Sequence, residues 1–99
     1  TLLGDIYKGY CQVCSFTFFK IDNSPYFELH HIEPNSGHHL KNLVLVCANC
    51  HRQFEYAKVI KKFDDQGWLS EVIFNQKEYH VKQVIKEIQP KEFYKTVFL

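Results

Sequence analysis

Residues 42–51 read Asn-Leu-Val-Leu-Val-Cys-Ala-Asn-Cys-His. Leu43 to Val46 is a short apolar run of strand length, bounded by a turn-forming asparagine, and reads as a buried strand. Cys47 and Cys50 form a C-x-x-C pair, the spacing by which two thiolates of one tight turn face the same ion. His51 follows directly. Successive helical residues are turned about 100° apart, so Cys50 and His51 face different sites if a helix starts here.

The same spacing occurs upstream as Cys11-Gln-Val-Cys14. Two such pairs complete a closed tetrahedral sulfur site, which suits a structural Zn2+ with no open coordination position. Disulfides are the rival reading. The N-terminus has no basic region followed by an apolar run, so metal ligation by Cys11, Cys14, Cys47 and Cys50 is the expectation. In a small module zinc adds folding free energy directly, on the order of 10 kcal/mol. Between Cys14 and Cys47 lie 32 residues. Simple zinc ribbons have about 15 to 20, so an insert with its own role is implied.

That insert holds four of the six histidines. Tyr26-Phe-Glu-Leu-His-His-Ile32 alternates as a strand does and ends in the turn residues Pro34-Asn-Ser-Gly37. Adjacent His30 and His31 on a strand point to opposite sides, so one ligates a metal while the other does different work. Glu55 sits one helical turn after His51, the spacing by which one helix offers two ligands to one cation. His30, His51 and Glu55 thus form a candidate open-sided divalent site, with His31 nearby as a general base near neutral pH. Asn42 is a candidate acceptor from the other ring nitrogen of His31, which would fix its tautomer.

Outward from this core, residues 1–9 read as a lead-in of about one helical turn. Ser15-Phe-Thr-Phe-Phe-Lys-Ile21 reads as a strand and Asp22-Asn-Ser-Pro25 as a turn. From Cys47 to about Phe63, the spacing of Phe54, Ala57, Ile60 or Lys61, and Phe63 predicts a helix closed by Asp64-Asp-Gln-Gly67. Two strands around the turn Asn75-Gln-Lys-Glu78 predict a β-hairpin over roughly 69–85, and the apolar tail after Pro90 is expected to dock on the body. The fold class is α+β.

At 99 residues and 45% hydrophobic composition, the chain suffices for one domain, 1–99, with a motif core at 11–56 and the hairpin and tail at 68–99. It contains no methionine, so it is expected to be a piece of a larger protein. No apolar stretch is long enough to cross a bilayer, and the cytoplasm is the expected compartment. A net charge of +1 predicts weak binding to DNA by this domain alone, although a bound cation adds local positive charge.

The residues E-L-H-H-I-E-P (28–34) and N-L-V-L-V-C-A-N-C-H (42–51), with the C-x-x-C knuckle upstream, resemble the HNH endonuclease family and its ββα-metal fold. The resemblance covers residues 11 to about 56. It implies that His30 and His51 are metal ligands, His31 the general base and Asn42 its orienting partner, and that the cysteines are the family's zinc-binding variant. It also implies cleavage of double-stranded DNA through insertion of the ββα unit at the minor groove. Glu55 stands where many members have a second histidine, which leaves the divalent ion open among Mg2+, Mn2+, Ni2+ and Zn2+. His38-His39 also departs from the family, whose loops are often glycine-rich at this point.

Plainer readings stand beside these. Glu55 also reads as a solvated helix residue, Asn42 as a turn residue and His80 as a solvent-facing strand position. Arg52, Lys41 and His39 are candidate DNA contacts, and Lys58, Lys61 and Lys62 fit either a DNA backbone or a solvated face. The leading expectation is the cleavage domain of a restriction-type enzyme whose DNA-reading domain lies elsewhere, with a homodimer as a further arrangement. The rivals are a non-catalytic zinc-ribbon module that binds nucleic acid, and a structural zinc domain for protein contacts.

Overall fold

The computed structural model describes residues 1–37 and 39–84. Its α-helices and strands in chain order are α1 (Leu2–Tyr7), β1 (Glu28–His31), β2 (Leu43–Val46), α2 (Ala48–Tyr56), β3 (Val59–Phe63), β4 (Leu69–Phe74) and β5 (Lys77–His80), with a 3-10 turn at Leu40–Asn42 before β2. β1 and β2 pair antiparallel in the register Glu28↔Val46, Leu29↔Leu45, His30↔Val44 and His31↔Leu43. All four β2 residues are buried. Because side chains alternate across a strand, Val44 and Val46 enter a core with Cys11, Cys47 and Cys50, while Leu43 and Leu45 enter another with Leu3, Tyr7, Leu40 and Trp68. A strand apolar on both faces is thus the partition between two cores.

Each core has its own helix. α1, capped by the Thr1 hydroxyl accepting from the Gly4 N–H at 2.9 Å, supplies Leu3 and Tyr7 to the leucine side. α2 starts directly after Cys47, whose Sγ accepts from the Cys50 N–H, and sets Cys50 and Phe54 against the valine side. This mixed α+β arrangement, with two separate sheets and four clustered cysteines, is the expected fold class.

The helix, however, stops at Tyr56 rather than near Phe63. Ala57 turns extended at φ −81° and ψ 168°, and Val59–Phe63 becomes β3, paired antiparallel with β4, which pairs in turn with β5. Val59 and Lys61 are half-buried while Ile60 and Lys62 are exposed, a period of two that competed with the helical spacing. β-branched Val59 and Ile60 favour the pleated form, and pairing with β4 decides it. The expected turn after β4 shortens to Asn75-Gln76, both at positive φ (48° and 77°), as a two-residue hairpin connection requires. The end of the predicted hairpin and the tail after Pro90 fall at 85–99, outside the described residues.

The predicted strand at 15–21 is also corrected. This segment and 22–26 form a finger with a single isolated bridge, Phe19↔Pro25, and main-chain bonds from Lys20 N–H to Ser24 C=O (2.7 Å) and Tyr26 N–H to Phe18 C=O (2.9 Å). Asp22 Oδ1 accepts from the Ser24 N–H and hydroxyl, Asn23 adopts φ 68°, and Pro25 has no N–H to extend a ladder.

Gln12, inside the first knuckle, ties β2 to the segment just after β5. It is 1% exposed, and its side-chain oxygen accepts from the Leu45 N–H at 2.8 Å while its amide nitrogen donates to the Lys82 C=O at 2.6 Å. Its main chain bonds the same two residues, donating to Leu45 C=O and accepting from Lys82 N–H.

Candidate metal centres and the histidine face

Cys11, Cys14, Cys47 and Cys50 bring their sulfurs within 4.8 Å of one another. The Cys14 and Cys47 sulfurs are 3.7 Å apart, close to the roughly 3.8 Å edge of a tetrahedron with 2.3 Å zinc–sulfur bonds. The knuckle amides Cys14 N–H and Cys50 N–H point at the sulfurs of Cys11 (3.5 Å) and Cys47 (3.4 Å). The thiols conflict without a cation. A hydrogen bond with Cys50 pulls Cys11 down to about 4, the same bond pushes Cys50 far up, and burial pushes Cys14 up to about 11. A divalent ion removes the conflict by accepting thiolates from all four, so the donor set fits a closed structural zinc.

The histidines form a second, looser cluster on α2's side of β1. His30 stacks on Phe54 with centroids 4.2 Å apart and planes 21° apart, and its ring centroid lies 5.2 Å from that of His51. Burial first, then the neighbouring His51 and Lys61, depress the His30 pKa to about 4. Its imidazole is therefore neutral at pH 7, with a lone pair for a cation. His51 Nδ1 is 2.6 Å from Glu28 Oε1, and the other Glu28 oxygen accepts from the Tyr26 hydroxyl. Those two partners, Tyr26 foremost, hold the Glu28 carboxyl below the usual carboxylate range. Glu28 engages Nδ1, so Nε2 is the His51 nitrogen that a cation would take.

Glu28 and Tyr26 are the functional candidates that sequence reading missed. The signal was present: Glu28 lies two residues before His30 on a strand, hence on the same face. The same alternation puts His31 on the opposite face, in register with Leu43, so the expected division between the two adjacent histidines matches the register.

Asn42 is tied to main-chain groups. It is buried, its Oδ1 accepts from the Glu33 N–H (2.8 Å), and its Nδ2 donates to the carbonyls of Glu33 (2.9 Å) and Gly37 (2.7 Å). These bonds go to the main chain of the loop leaving β1, so Asn42 fixes the backbone that follows His31. Glu55 is engaged too: its Oε1 accepts from Arg52 Nη1 at 2.8 Å, an exposed pair one turn apart. Among the described residues, no set besides the cysteines gathers three His, Cys, Asp or Glu donor atoms within 4.8 Å. His30 and His51 converge; Glu55 faces Arg52. Lys41 donates to the Gln66 C=O and lies 5.7 Å over the Trp68 ring, and with His39 it lines a cleft of about 310 Å³ beside Asn42 and Glu33. His38 lies outside the described residues.

The strand places His30 and His51's partner Glu28 on one face and His31 on the other, and a helix starting at the second cysteine knuckle follows. Residues 11–55 match the HNH endonuclease family. Among curated proteins, the chain is similar to the type IV methyl-directed restriction enzyme EcoKMcrA of Escherichia coli (strain K12), 38% identical over 60 residues. The aligned part is 56% of this chain and 22% of that enzyme, so the chain spans about a fifth of its relative's length. No solved structure matches. Family and relative alike point to a nuclease. No helix among the described residues is long and apolar enough to cross a membrane.

Proposed function

We propose that the chain is the metal-dependent nuclease domain of a larger restriction-type enzyme and hydrolyses phosphodiester bonds of DNA. The observation that carries this reading is the split of His30 and His31 across β1, with the His51–Glu28 pair on the His30 side, inside the segment matched to the HNH family. His30 and His51 would hold the divalent ion, His30 through an imidazole kept neutral by burial. That ion, when bound, supplies a Lewis acid for the scissile phosphate and its leaving oxygen. His31 takes the proton of the attacking water, and Asn42 holds the loop after His31 through Glu33 and Gly37. Glu28 orients His51, and Tyr26 orients Glu28.

The near-neutral charge and the short span relative to EcoKMcrA support a division of labour in which other parts of the protein choose the target. The Arg52–Glu55 pair supports a second reading, a zinc module that binds nucleic acid without cutting, because it engages the third expected ligand. Plasmid incubated with Mg2+, Mn2+ or Ni2+ separates the two. Wild-type protein is expected to nick it, with His31→Ala slower by about 10²- to 10⁴-fold at matched zinc content. Equal nicking by both would overturn the role of His31, and binding without nicking by either would establish the zinc module.

A further inference from the structure

The finger at 15–26 carries apolar rings that belong to neither core. Phe16, Phe18 and Phe19 are 53%, 48% and 60% exposed, and Ile21 at the tip is fully exposed. Single exposed apolar residues are ordinary, whereas several together mark a contact site. Two features say what kind. First, the rings are ordered: Phe18 stacks on Tyr26 with centroids 5.3 Å apart and planes within 15°, and Phe16 adjoins Phe18 at 6.1 Å. Second, the ladder runs into the histidine face, because the Tyr26 hydroxyl donates to Glu28, which holds His51.

The platform is firmly mounted. An added Cβ at Gly9 (φ +78°) would lie 2.3 Å from Pro25, so the chain just before the first knuckle packs closely against the root of the finger. The Asp22–Ser24 turn closes the tip. Cations flank the row: Arg52 acts electrostatically on both Tyr26 and Glu28, Lys20 stands in the finger, and Lys82 donates to Ser15 at its base. Flat rings in series beside cations are the surface that unpaired nucleic acid takes, since every base has a π-face and every linkage a phosphate.

We infer that the Phe16–Phe18–Tyr26 row is a stacking subsite for unpaired nucleobases of the strand whose backbone lies at the histidine face. The inference rests on the nuclease reading only in identifying that strand as substrate. Its consequence is a substrate class: the domain engages DNA with bases out of the duplex, whether single-stranded, gapped or flipped.

The test uses the zinc-loaded chain without added divalent ion, so that binding is read apart from cleavage. The probe is a short single-stranded oligonucleotide carrying 2-aminopurine, followed by fluorescence quenching and anisotropy, with the fully paired duplex as comparison. Phe18→Ala is expected to weaken single-strand binding roughly five- to a hundredfold and to abolish the quench. Phe18→Trp is expected to restore both, and duplex binding is expected to change less. Phe18 is half exposed, so the fold should tolerate both changes. Unchanged binding and quenching in Phe18→Ala would overturn the subsite. So would a loss of self-association by sedimentation in Phe18→Ala with oligonucleotide binding intact, which would make the finger a protein contact. The two readings fail separately: stacking that depends on Phe18 in a chain that never nicks DNA overturns the nuclease reading alone, and nicking with no dependence on Phe18 overturns the subsite alone.

Discussion

The four cysteines and the two converging histidines draw on the same helix through the neighbours Cys50 and His51, yet the two clusters differ in how completely they are assembled. The cysteines come as two knuckles whose local turns already aim pairs of sulfurs, and the four donors meet within 4.8 Å. The histidine side takes His30 from a strand and His51 from a helix, while Glu55 keeps company with Arg52. Its order comes instead from second partners: Phe54 under His30, Glu28 behind His51 and Tyr26 behind Glu28. A closed site is specified by spacing and an open one by its supports.

Removing a cysteine should have the largest effect. Cys50→Ala is expected to cost on the order of 10 kcal/mol, comparable to the whole stability of a small domain. Zinc content and the near-ultraviolet dichroism of buried Trp68 would report it, and a Cys50→Ala protein that melts like wild type would break the comparison. Asn42→Ala comes next. Loss of three hydrogen bonds at roughly 1 kcal/mol each should lower stability in urea by about 3 kcal/mol. Glu28→Ala should leave zinc content and melting nearly unchanged but weaken Mn2+ or Ni2+ binding about 10- to 100-fold by calorimetry. Glu55→Ala should do least, less than about 1 kcal/mol in stability and little in metal affinity, because its partner is an exposed arginine. Should Glu55→Ala weaken metal binding as much as Glu28→Ala, the expected His30–His51–Glu55 ligand set would stand instead.

These differences also explain what was legible in the sequence. Cys-x-x-Cys is a local rule, and Leu43–Val46 is apolar on every position, so the zinc site and the central strand needed no tertiary knowledge. His30 and His31 were separable because alternation is local too. The end of α2 was not legible: Phe54, Ala57 and Phe63 keep helical spacing, no glycine or proline intervenes, and only pairing with β4 turns 59–63 into a strand. The finger misled in the opposite sense, since its phenylalanines mimic a strand while Pro25 and the Asp22 turn prevent a ladder. Asn42 was chosen by residue type, but which loop its amide would pin depends on how the chain between 33 and 37 folds back.

Gln12 gives the knuckle a reach beyond its metal. One buried side chain bonds the main chain at both Leu45 in β2 and Lys82 two residues after β5, so the opening of the two sheets is expected to be coupled. In hydrogen exchange, the amides of Leu45 and Lys82 should therefore exchange at a common rate set by release of the zinc knuckle. The metal would then act as the clock for opening the whole domain, the histidine face included.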